Sequence, residues 1–180
     1  YVKGLSSKPK PVKDQIEQIV RAATAPLNRE SGENPYVLQD ELQDMMGRCV
    51  GIVRIEEELK EAIDVLDKLK TRAKNVKAHG ASQYNPGWHA AIDIGNLLLA
   101  SEVVTKAALM RQESRGAHTR LDYPGERDEW LKYNVIIRKS ASGEMEVEKV
   151  ERPAAPPTLH AIAHSKIEDL ESGKVGAEEG

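Results

Sequence analysis

Leu38, Leu42, Met45 and Cys49 recur at spacings of four, three and four, which predicts a helix with one apolar stripe. A longer series follows. Ile55, Leu59, Ala62, Leu66, Leu69, Ala73 and Val76 keep a four-three alternation, with Glu and Lys filling the opposite face, the pattern of a helix-bundle seam. The third apolar run, from Pro86 to Gln112, differs in kind. Asp93, Asn96, Glu102 and Lys106 scatter around its helical wheel, so apolar surface points in several directions and calls for neighbours on more than one side.

Punctuation supports these three helices. Asn34-Pro35 and Asn85-Pro86 each read as an N-cap followed by proline in the first turn, and Gly51 and the segment AHGASQ at 78–83 are breakers. Upstream, residues 12–25 predict a short helix with Ile16, Ile19, Val20 and Ala23 on one face, ending before Pro26. Downstream, NVIIRK and MEVEKV around a Ser-Gly turn predict a hairpin. Beyond Pro153 lie a proline-rich linker, a weak amphipathic patch (Leu159, Ile162, Ala163, Ile167, Leu170) and a Gly/Glu-rich end. The fold class expected is mainly α: an antiparallel three-helix bundle with a small C-terminal β-hairpin. Residues 1–31 read as a linker and short helix, 32–152 as the bundle with its hairpin, and 153–180 as a flexible tail.

Composition narrows the chemistry. Lys+Arg 26 against Asp+Glu 29 gives a net charge of −3, so no basic field directs the chain to nucleic acid. With no Phe, the core has to be aliphatic. The single Cys49 excludes an internal disulfide, fits a reducing compartment, and sits on an apolar stripe where a core thiol is expected rather than a nucleophile. The N-terminus has no signal-peptide core and does not begin with Met, as expected of a processed product or, the reading preferred, a piece of a longer chain. The polar residues in the third helix argue against a membrane span. No glycine-rich phosphate loop, GxGxxG or HExxH occurs. His160 and His164 have two-point metal spacing, but no glutamate follows at the metalloprotease position, and chance spacing is the reading adopted. No catalytic, cofactor-binding or metal-binding residue is assigned.

What remains is RQESRGAHTRLDYP at 111–124, a dense polar knot after the third helix. Arg115 and His118 beside Gly116 suit a carboxylate or phosphate. Equally, Glu113, Arg115, Arg120 and Asp122 can satisfy one another and clamp a helix end to an adjoining surface. The residues alone favour the structural docking reading and leave the anion-binding one as the alternative.

The chain closely resembles the C-terminal domain of the succinate dehydrogenase and fumarate reductase flavoprotein subunit. The likeness is carried by GENP at 32–35, CVGIVR at 49–54, EELKEAIDVLDKL, YNPGWHAAIDIGNLLLASEVV and, above all, RQESRGAHTRLDYPGERDEW. YVKGL at the start looks like the tail of the last flavin-domain helix. This resemblance implies a spectrin-repeat-like bundle packed on the subunit's own FAD-binding domain. FAD and the substrate-binding residues would lie upstream, and an iron–sulfur subunit would accept the electrons. The implied location is cytoplasmic, at the inner face of the plasma membrane through partner subunits. Glu113, Ser114, Arg115, Gly116, His118, Arg120 and Asp122 become interdomain docking residues, and the fragment has no activity alone. Where the family often has histidine after W-x-K, this chain has Tyr133, and that position is given no role. L-aspartate oxidase shares the ESRG-type motif and the bundle, though the hairpin and tail look more like the respiratory subunit. A stand-alone helical interaction module and a small anion-binding protein using Arg115, His118 and Arg120 are the remaining alternatives.

Overall fold

Two of the long helices start where an Asn-Pro pair in the local sequence dictates. The computed structural model describes residues 2–4 and 10–173. Most of the expected N-terminal linker and the Gly/Glu-rich end therefore lie outside the described residues. Val2–Gly4 form a single 3-10 turn. Helix α1 spans Lys13–Asn28. Helix α2, Pro35–Cys49, starts where the Asn34 side chain accepts from the Tyr36 amide at 3.0 Å. Helix α3, Glu56–Ala73, carries three glutamates in its first turn and Lys70 and Arg72 in its last, both favourable to the helix dipole. Helix α4, Pro86–Met110, starts where Asn85 accepts from the Trp88 amide at 2.9 Å, while the Asn85 amide donates to the carbonyls of His79 and Ala81.

Two boundaries depart from the sequence reading. Helix α1 runs through Pro26 instead of stopping before it. Pro26 is buried in the last turn and its carbonyl accepts from the Ala78 amide at 2.9 Å, so tertiary contacts offset the hydrogen bond that proline cannot make. The α1 stripe is also not a core face: Ile16, Ile19 and Val20 are about half exposed or more. At the other end, residues expected to be tail form two short helices, α5 (Pro157–Ala163) and α6 (Ile167–Glu171), neither with a buried residue.

The chain is mainly helical, and α2, α3 and α4 each pack on the other two around one aliphatic core. Leu38, Leu42, Met45 and Cys49 come from α2, Leu59, Ala62, Leu66 and Leu69 from α3, and Ala91, Ile94, Leu98 and Ala108 from α4. Each fully buried leucine contributes about 2 kcal/mol of transfer free energy. As its sequence foretold, α4 has more apolar surface than its partners cover: Ile92, Leu97, Leu99 and Val104 stay exposed. Glu102, although buried, is neutralised by Lys70 and Lys106, each at 2.7 Å.

Strands β1 (Val53–Arg54) and β2 (Thr119–Arg120) pair in parallel, Val53 with Thr119 and Arg54 with Arg120. Strands β3 (Tyr133–Lys139) and β4 (Met145–Glu151) form the expected antiparallel hairpin, turned at Gly143 with φ +91° and laid against α4. At the base of α2, Gly32 lies under the Asn75 carbonyl beside the Glu33–Val76 bridge, where an added Cβ would come within 2.4 Å of that oxygen.

Candidate functional site

At Arg111 the chain leaves α4 with extended backbone, and the knot folds back over the helix end. Its two most buried members, Glu113 and Arg120, are both 0% exposed. Glu113 collects hydrogen bonds from Arg111, from Arg115 Nε and Nη2 at 3.2 Å, and from the Arg127 amide at 2.8 Å. Burial alone raises a carboxyl pKa. Here the bonds from Arg115, the Arg127 amide and Arg111 outweigh it and hold Glu113 at about 2. Arg115 reaches on to Glu126 at 2.8 Å.

Arg120 joins two helix ends. Its Nε and Nη2 meet the Asp122 carboxylate at 2.8 and 2.6 Å, a two-point fork. Its Nη1 donates to the carbonyls of Ala108 and Leu109 at 3.0 and 3.2 Å, capping the negative end of α4. Asp122 in turn accepts from the Glu56 amide at 3.0 Å, at the positive end of α3. One ion pair thus ties the C-terminus of α4 to the N-terminus of α3, with Tyr123 stacked beneath the guanidinium at 4.8 Å.

Ser114 closes the loop from inside: its hydroxyl accepts from the Arg120 amide at 2.8 Å and donates toward the carbonyls of Arg120 and Tyr123. Gly116 adopts φ +59° in the turn that pairs Arg115 with His118 through both backbone bonds, at 2.8 and 3.1 Å. His118 is locked in one tautomer. Arg54 can only donate, so Nδ1 accepts from Arg54 Nη1 at 2.6 Å, and Nε2–H donates to the Arg111 carbonyl at 3.1 Å. Burial and the neighbouring Arg54, Arg120 and Arg111 charges keep its pKa below the ordinary 6.5, against the opposing pull of the Arg111 carbonyl.

The structure therefore brings all seven sequence-identified residues into one network, with Glu113 and Arg120 inside and Gly116 outside. The sequence reading missed Arg54, Arg111 and Glu126, which complete the pairing. Arg54 had one visible signal, its place in CVGIVR. Each carboxylate and guanidinium of the network is committed to a neighbour, so the site can hold shape and charge but offers no unengaged acid, base or nucleophile. Among the described residues no group of three or more His, Cys, Asp or Glu is arranged to hold a metal, and the rings of His160 and His164 stack at 4.1 Å on an exposed helix. No helix of the described residues is long and apolar enough to cross a membrane.

Comparison with known proteins bears on this geometry. The family described as "Fumarate reductase flavoprotein C-term" matches residues 39–166, a span that contains the whole knot and continues into α5. The succinate dehydrogenase flavoprotein subunit of Bacillus subtilis is 35% identical over 145 residues, covering 78% of this chain and 25% of that protein. The fumarate reductase flavoprotein subunit of Helicobacter pylori is 35% identical over 121 residues, 66% of this chain and 17% of that protein. Among solved structures, the Mycobacterium smegmatis Sdh1 complex in the apo form superposes with a TM-score of 0.85 at 39% identity, covering 96% of this chain and 30% of that one. The chain spans about a fifth of the length of the curated relatives it matches.

Proposed function

This chain belongs to the fumarate reductase flavoprotein C-terminal family, and on that premise we propose that it is the helical domain of an FAD-dependent subunit interconverting succinate and fumarate. The observation that carries the proposal is the family match over 39–166, which encloses a fully satisfied ionic knot rather than a reactive one. A network with no unengaged acid or base suits a supporting domain. FAD, the substrate and the catalytic groups then belong to the rest of the subunit.

In this reading α2, α3 and α4 form an antiparallel three-helix bundle of the spectrin-repeat kind that packs on the FAD-binding domain of its own subunit. Ser114, Arg115, Gly116, His118 and Asp122 present the docking face, and the buried Glu113 and Arg120 hold it in shape from beneath. The unpartnered apolar residues of α1 and α4 support an additional covering surface. An iron–sulfur subunit takes the electrons, and the assembly sits at the cytoplasmic face of the plasma membrane through partner subunits.

The test uses a species captured from its native source by an antibody to residues 32–152. Bleaching of its flavin absorbance by succinate is the expected result. Bleaching by L-aspartate and not by succinate would transfer the chain to the aspartate oxidase kind, and no flavin response at all would overturn the reading.

A further inference from the structure

The small β1–β2 sheet has one sealed edge and one open edge. In this parallel register the Thr119 amide donates to the Ile52 carbonyl and the Leu121 amide to the Arg54 carbonyl, at 3.1 and 3.0 Å. The main-chain groups of Arg120 therefore point away from β1, and both are met by the Ser114 hydroxyl. On the far side, the N–H and C=O of Val53 point away from β2, and no described residue meets them. Side chains around this sheet are apolar: Ile52 and Val53, at the open edge, are 65% and 52% exposed, and Leu121, which follows β2, is 63% exposed. Alternation along the strands puts Val53 and Leu121 on one outward face. An exposed apolar strand edge without a blocking charge or proline is a template for another extended chain.

We propose that the Val53 edge receives an extended segment from the flavin-binding part of the subunit, which adds to β1 as a third strand. This rests on the docking reading above and names where that docking occurs. The occupant follows from the chemistry and from length. An unpaired N–H and C=O on one strand residue call for extended backbone, which a helix face cannot supply. The Mycobacterium smegmatis chain, which accommodates 96% of this one, has 70% of its length outside the matched region, ample for such a segment. The edge also adjoins the knot, since β2 is the strand on which Arg120 sits, so the added strand would lie against the same rigid corner that staples α3 to α4.

The experiment uses the full-length flavoprotein with a photo-reactive residue at Leu121, or at Leu99 on α4 or Ile19 on α1, together with hydrogen exchange resolved to the Val53 amide. Cross-links from position 121 to the flavin-binding part are expected, with Val53 exchange slowed on the order of 100-fold relative to an unprotected amide. Cross-links from 99 or 19 but not from 121 would overturn this inference and leave the docking reading standing. A cross-link from 121 with an unprotected Val53 amide would overturn strand addition. No cross-link from any of the three positions would overturn both.

Discussion

Replacing Glu113 by glutamine keeps the side chain's shape and removes the charge that Arg111 and Arg115 neutralise. The magnitude follows from the carboxyl's environment: it is held at about 2 against an ordinary value of 4.5. At 1.36 kcal/mol per pKa unit that displacement corresponds to about 3 kcal/mol of native-state stabilisation at neutral pH. Arg111 and Arg115 are each about a quarter exposed, so water screens part of the loss and the figure is an upper value. For a domain of this size 1 kcal/mol moves Tm by roughly 2–4 °C, so E113Q is expected to melt lower at pH 7, by at most about 6–12 °C. The pH dependence has a definite sign. A depressed folded-state pKa means the unfolded chain binds more protons between pH 4.5 and about 2, so the stabilisation is complete above 4.5 and drains away as the pH falls through that window. Thermal unfolding followed by circular dichroism from pH 7 to pH 3 measures both effects. E113Q and the parent chain should converge toward pH 3. Equal melting temperatures at pH 7, or parallel acid limbs, would refute the assignment of Glu113 as the charged centre of the knot.

Gly32→Ala forces a Cβ to within 2.4 Å of the Asn75 carbonyl, and unfolding in urea should show a loss of about 1–3 kcal/mol; an unchanged midpoint would mean the Glu33–Val76 bridge yields freely. His118, held neutral by burial and surrounding arginines, contributes stability that is present above pH 6.5 and lost as the pH falls below it. Its ring resonances should accordingly show it mostly neutral at pH 6.5, and half-titration there would contradict the Arg54 contact. Cys49 is fully buried, and burial pushes its thiol pKa up, so a thiol reagent should modify it only as fast as the domain opens; prompt labelling would place it outside the core.

Much of this architecture is legible in the residue pattern, and the exceptions have physical causes. The seams of α2 and α3 and the two Asn-Pro caps follow from local periodicity and local hydrogen bonding, and both reappear in the structure. The surplus apolar surface of α4 was readable for the same reason. Pro26 misled because proline ends helices locally, whereas here burial and the Ala78 amide hold the helix through it. The stripe of α1 has the period of a core face, but periodicity cannot say whether a partner is present, and in this chain that stripe is exposed. Strands β1 and β2 are two residues each and join positions 66 apart, too short to leave any alternation in the sequence. Within the knot, the identities of Glu113, Arg115, Arg120 and Asp122 were visible. Their division into buried centre and outer face was not, because it depends on Arg54 and the α3 N-terminus folding in from far along the chain.

The central claim, that this chain is one domain of a flavoprotein, is tested most directly by isolating from its native source the species that carries this sequence and recording its mass and visible spectrum. A polypeptide several times heavier than 19.9 kDa with flavin absorbance is the predicted result. A colourless species of 19.9 kDa would contradict the account and leave a helical module that works by itself.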